Sequence, residues 1–246
     1  MNRQPKDITT KEKSESQVML NLRKFALLHA QGGLSLLETI GVVSIGAVLA
    51  AMTLPHVYGL IADSKAESLV SSVKIYQQAI SRYYADVGTL LPLDSQGLPH
   101  LEQTGNSANP NSLPAQLTLV AGDPRAGGSN LWTKFQGPYL EKFDTQHPPE
   151  LGGAMYLQTH KALPLGAVVT RSNDAWDLKG DNARSDVPTQ AHIVVLRVTG
   201  ITPEQFLRID KVVESDIGRT MEERQVRGRA KYDPVEMSLR LYLAHQ

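Results

Sequence analysis

The sequence predicts an α+β protein in which one long amino-terminal helix precedes a body built on an antiparallel sheet. Three observations carry that expectation. An apolar run over residues 34–54 passes directly into an amphipathic run with helical spacing. A stretch rich in Gly, Pro, Asn and Ser follows it. Beyond that stretch, short β-branched or alternating runs recur around one capped helical segment. At 246 residues the chain has room for one ordinary domain plus the helix.

Residues 1–33 are polar and basic, with six Lys or Arg against three Asp or Glu. The next 21 residues read LSLLETIGVVSIGAVLAAMTL, and Glu38 is their only formal charge. As a helix rising 1.5 Å per residue this run reaches about 31 Å, close to the thickness of bilayer hydrocarbon. The basic side precedes it, which places residues 1–33 in the cytoplasm as a leader and everything after Leu54 outside the inner membrane. An ordinary secretory signal, cut near Ala50 and Ala51, would have a shorter apolar core and no acid within it. A carboxylate in lipid is costly enough that it has a partner or a job, unless Glu38 belongs to a simple anchor and lies at the headgroups.

The run Gly33-Leu34-Ser35-Leu36-Leu37-Glu38 resembles the cleavage motif of type IV prepilins and type II secretion pseudopilins. In that motif a glycine, an apolar residue, three mostly apolar positions and a glutamate precede an apolar helix. The resemblance implies a pilin-like fold, cleavage between Gly33 and Leu34 by a prepilin peptidase, and N-methylation of the new Leu34 amine. It implies that Glu38 is an assembly residue, pairing with the terminal amine of a neighbouring subunit inside an apolar filament core. The implied partners are other pilins in a homo- or hetero-oligomeric filament, the peptidase and an inner-membrane assembly platform with its ATPase. Leu34 stands where phenylalanine or methionine is commoner, and a start at Met19 would shorten the leader from 33 to 15 residues.

Pro55 follows the apolar run where pilin helices commonly carry a helix-perturbing proline; it removes a backbone donor and predicts a kink or a loosened turn. From His56 to about Asp86, Leu60, Leu69, Val73, Tyr76, Ile80 and Tyr83 form an apolar stripe, with Asp63, Lys65, Glu67, Lys74, Gln77 and Arg82 on much of the rest. The stripe reads as core, and Gly88 as the end of a helix of about 50 residues. The expected organisation is therefore a leader over 1–33, a transmembrane half over 34–54, an amphipathic half over 55–87, a loop-rich connection over 88–130 and a globular part over 131–246.

Within the connection, a stretch without regular structure would be long for a compact domain, which predicts that part of it is a short helix or variable surface. Strands are expected near 153–158, 165–170, 191–198, 226–232 and 236–243. Thr202 caps a helix beginning at Pro203 and running to about Ser215, burying Phe206, Ile209 and Val213. Trp132, Phe135, Tyr139, Tyr156, Val194, Leu196, Phe206, Leu239 and Leu241 are candidate core residues.

Basic and acidic residues balance at 25 each, so net charge does not mark a general nucleic-acid binder. Arg224, Arg227, Arg229 and Lys231 form a local basic cluster, the last three alternating on a predicted strand. They would meet DNA phosphates in a DNA-uptake pilus, or pair with Glu222, Glu223 or Glu236 on a wet strand face. The absence of cysteine excludes a disulfide scaffold, a Cys-ligated metal and a cysteine nucleophile. Asp174, Asp177 and Asp181 offer oxygens to calcium from one loop, although their spacing does not follow the paired-helix calcium loop and a solvated turn accounts for them as well. No other cofactor is expected. The seven histidines make no ligand-like pair, and no Gly-Xaa-Ser-Xaa-Gly elbow is present.

The function expected from these residues and the resemblance is a structural one: a pilin or minor pilin of a type IV pilus-like filament. Echoes of secretion pseudopilins around Gly88 and in Gly137-Pro138-Tyr139-Leu140 keep a type II pseudopilus subunit as an alternative. A membrane-tethered periplasmic binding module or enzyme is the further alternative, and it would require a polar pocket within residues 130–246.

Overall fold

The structure, a computed structural model, describes residues 35–102, 104–121, 130–145, 151, 153–162, 176–179, 186–214, 220, 221, 223–225 and 227–246. The chain divides into two units after Val57. Helix α1 spans Leu36–Val87, 52 residues, and runs on through Pro55 without interruption of its helical assignment.

In the first unit, the described part of α1 leaves its side chains exposed from Leu36 to Val57. In the second, Ala66, Leu69, Val73, Tyr76, Ala79, Ile80, Tyr83 and Val87 are buried at three- and four-residue intervals. Leu60, expected on this stripe, is instead 70% exposed. The correction has a simple cause: Leu60 lies nine residues before Leu69, half a turn round the helix, so it faces away from the stripe, which half-buried Gly59 and Ala62 continue. Gly88 ends α1 with φ +82°, and its N–H donates to the Tyr84 carbonyl at 2.8 Å.

The body is a four-stranded antiparallel sheet of β1 (Met155–Lys161), β2 (His192–Thr199), β3 (Ala230–Asp233) and β4 (Ser238–His245), in the order β1-β2-β4-β3. The expected strand at 226–232 thus starts four residues late, at Ala230, and Arg227 makes only an isolated bridge to Asp177. The strand expected over 165–170 lies outside the described residues. Period-two alternation divides the sheet's side chains. Leu157, Leu196, Leu241 and Ala230 form one cross-strand rung on the α1 face, and Met155, Val198, Leu239 and Tyr232 form the next.

The opposite face is also covered. Ile193, Val195 and Tyr242 pack there with Ala162, Trp176 and Val187 as a second core. Burial on both faces explains why β2 reads HIVVLRVT, an apolar run where a one-sided sheet would show alternation.

The connection after Gly88 is pinned, not loose. Helix α2 (Leu113–Leu117) is capped by Ser112, and the Gln116 amide exchanges hydrogen bonds with the main chain of Leu93 at 2.9 and 2.6 Å. The Tyr83 hydroxyl lies within hydrogen-bond reach of both the Leu91 carbonyl (3.0 Å) and Gln116 Oε1 (3.1 Å). Trp132, Phe135 and Tyr139 stack edge to face beside Tyr83. Of the expected core residues, Tyr139 and Tyr156 are only half-buried.

Helix α3 (Pro203–Val213) begins with the expected Thr202 cap, completed as a reciprocal box by Gln205. It buries Phe206 and Ile209 and half-buries Val213. Phe206 stacks on Tyr232 at 4.9 Å, and Arg208 bonds to Asp63 of α1.

Candidate functional site

The amino-terminal end of α1 carries the candidate site. Leu36, Leu37, Ile40, Val42, Val43, Ile45, Val48, Leu49, Met52 and Leu54 are each at least half exposed. Between Ser35 and Ala62 the sequence contains one Asp, Glu, Lys or Arg, and it is Glu38. Ser44 Oγ donates to the Ile40 carbonyl at 2.7 Å and Thr53 Oγ1 to the Leu49 carbonyl at 3.0 Å, so these hydroxyls are satisfied within the helix. A helix that hides its hydroxyls and presents apolar side chains around its whole circumference is suited to lipid. It is long and apolar enough to cross a membrane.

Glu38 is the exception on this surface, and its backbone explains how the helix begins. The Ser35 N–H donates to Glu38 Oε2 at 3.1 Å, and the Glu38 N–H donates to Ser35 Oγ at 3.2 Å. Two orphan donors of the first turn are thereby satisfied reciprocally. Ser35 was not among the expected site residues, although Ser-Leu-Leu-Glu before an apolar run is a legible capping signal. Gly33 and Leu34, the expected cleavage and methylation positions, lie outside the described residues. Pro55 lies within α1, 17 residues after Glu38 in the sequence.

The structure dissolves the expected basic cluster. Arg224 is buried in an ion pair with Asp210, while Arg227 bonds at 3.1 Å to Glu223, one of the acids expected to pair with the cluster. Lys231, 3% exposed, lies over the Trp176 ring at 4.2 Å. Only Lys231 of the four sits in β3, so the three residues expected to alternate along one strand do not share a strand face. Arg229 is exposed, and Glu236, an expected partner of the cluster, bonds instead to Arg197 of β2 at 2.8 Å.

Asp177, one of the three calcium candidates, is completely buried, and its carbonyl accepts from the Gly228 N–H at 2.7 Å. It is therefore not part of a solvated turn. Asp174 and Asp181 lie outside the described residues. Among the described residues no group of three His, Cys, Asp or Glu is placed to hold a metal ion. A depression of about 210 Å³ between α1 and the end of β4 is lined by Ile80, Ser81, Tyr84, Leu90, Ala244 and His245.

Several phenols of the body have raised pKa values. Desolvation raises the Tyr83 pKa well above its ordinary value. Burial also pushes Tyr139 up to about 12, reinforced by Asp86, and Tyr242 up to about 12. Each stays neutral, as packing and hydrogen-bonding groups do.

No family model matches the chain, and no curated protein or solved structure matches it.

Proposed function

We propose that the protein is a structural subunit, a pilin or minor pilin, of a type IV pilus-like filament, anchored in the inner membrane through α1 with its body on the periplasmic side. The observation that supports this best is the division of labour along α1: an exposed apolar half with one carboxylate in its first turn, then a half whose stripe is buried under the sheet. A plain membrane anchor gains nothing from an acid within its apolar run. A filament subunit does, because Glu38 can neutralise a cation contributed by its neighbour when the apolar halves bundle together.

In this reading a prepilin peptidase cuts between Gly33 and Leu34, the Leu34 amine is methylated, and the chain performs no chemistry of its own. An assembly platform and its ATPase drive the filament. A type II secretion pseudopilus is the alternative destination. The test is replacement of Gly33 by a bulky residue and of Glu38 by Gln, with sheared filaments and membrane fractions compared. Gly33→Trp is expected to leave an uncut precursor, whereas Glu38→Gln is expected to be cut yet to yield no filament. If both variants behave as the unaltered chain does, the tethered-module reading replaces this one.

A further inference from the structure

We infer, on the reading of α1 as a membrane anchor but independently of any filament, that one end of the body rests on the bilayer: the β3–β4 turn and the exposed side of α3 touch lipid. Spacing along α1 is the first reason. The apolar run ends at Leu54; Gly59 and Ala62 are already half-buried, and Asp63 bonds to Arg208 of α3 at 2.5 Å. Gly59 lies five helical residues beyond Leu54 and Asp63 nine, rises of about 7.5 and 13.5 Å. The headgroup layer fills roughly the first 5–8 Å outside the hydrocarbon. Because α1 is one helix over Leu36–Val87, no linker separates the body from that layer.

Contacts within the body identify the elements at this end. The Ile201 N–H, just before α3, donates at 2.9 Å to the carbonyl of Met237, which directly precedes β4. The far part of β4 meets α1 at Gln77, whose amide donates to the Leu243 carbonyl at 3.4 Å. Strand β4 therefore runs in the direction of α1, and the turn before it lies on the Asp63 side. That turn exposes Val235 and Met237, at 61% and 50%, and Met237 adopts φ +45°, a left-handed backbone that favours glycine. Leu207 of α3 and Tyr58, Leu60 and Ile61 of α1 are exposed as well. No Asp, Glu, Lys or Arg interrupts α1 between Glu38 and Asp63, so this apolar surface continues that of the membrane run. Tyrosine is a residue favoured at headgroup level, and lipid is the cover that fits.

The test reconstitutes the full chain in phosphatidylcholine liposomes. The chain has no cysteine, so Leu207→Cys, Met237→Cys, Leu98→Cys, Ile75→Cys and Ile45→Cys each report one position. A charged, membrane-impermeant maleimide is expected to label Leu207→Cys and Met237→Cys about tenfold more slowly than Leu98→Cys and Ile75→Cys, the factor equivalent to about 1.4 kcal/mol of shielding. Bimane attached at the two slow positions is expected to be quenched by lipids brominated near the headgroup, and Ile45→Cys to stay unlabelled. Equal rates at all four body positions, or no quenching by bromine, overturn the lipid contact, while an unlabelled Ile45→Cys keeps the anchor. Labelling of Ile45→Cys as fast as Leu98→Cys means that the anchor reading fails and takes the lipid contact with it. Slow labelling in native membranes but not in liposomes assigns the surface to a protein partner and overturns the inference too.

Discussion

The two halves of α1 share one backbone and are built for different surroundings. Before Val57 the apolar side chains point all round the helix and stay exposed; from Ala66 one stripe of them is buried, and Ile75 and Tyr84 stay exposed off it. The lesson is that the same residue type does different work on either side of this boundary. An isoleucine at 45 contributes to the first half only in so far as something apolar surrounds it, whereas the isoleucine at 80 is enclosed by the protein itself. Glu38 and Asp63 differ in the same sense. Asp63, the first acid after Glu38, already has Arg208 of the body as its partner.

The sharpest way to break the comparison is to truncate one isoleucine in each half. Ile80→Ala is expected to destabilise the body by about 2–5 kcal/mol, because a fully enclosed side chain leaves a cavity. Ile45→Ala is expected to leave body stability within about 0.5 kcal/mol. Chemical denaturation of both variants in detergent, followed by near-ultraviolet circular dichroism, measures the pair; equal losses would mean that the halves are not distinct environments. The converse experiment adds a charge. Val48→Arg should disfavour membrane insertion by roughly 2.5–3.5 kcal/mol. The body should still fold, and an alkaline-extraction assay should find the variant released from membranes.

Titration sharpens the contrast more gently. Tyr83 lies in the enclosed half, and its folded-state pKa is raised above the unfolded value of about 10. Its contribution is fully present below pH 10. Above it the unfolded chain loses its proton first, and stability falls by about 1.4 kcal/mol per pH unit until the folded phenol also ionises. Tyr83→Phe is expected to lower stability near neutral pH by about 1 kcal/mol, through the lost hydroxyl bonds, and to make the alkaline decline shallower. Denaturant midpoints from pH 8 to 11 provide the check. The smallest effect belongs to Asp63→Asn, which weakens an exposed pair with Arg208 and should cost at most about 1 kcal/mol, less in high salt.

The same contrast marks how far the sequence could be read. Local signals were legible: the apolar run, the stripe from Leu69 onward, the stop at Gly88, and the Thr202 cap with Pro203 behind it all depend on residues within a turn or two of one another. Leu60 does not belong to the stripe because the nine-residue gap to Leu69 turns it to the opposite face, and half-buried Gly59 and Ala62 mark where the stripe continues. Long-range partners were also hidden. Nothing near Lys231 in the chain announces Trp176, and nothing near Arg224 announces Asp210, so four basic residues read as one patch. The second core around Trp176 had one available sign, the unbroken apolar run in β2. Ser35 is legible by its spacing from Glu38, three residues on, as a capping pair.

The central claim is that α1 is a processed assembly helix, and intact-mass analysis of the membrane fraction with and without the prepilin peptidase tests it most directly. The account predicts a peptidase-dependent product that begins at N-methylated Leu34. A full-length chain under both conditions, or a product cut near Ala51, would contradict it.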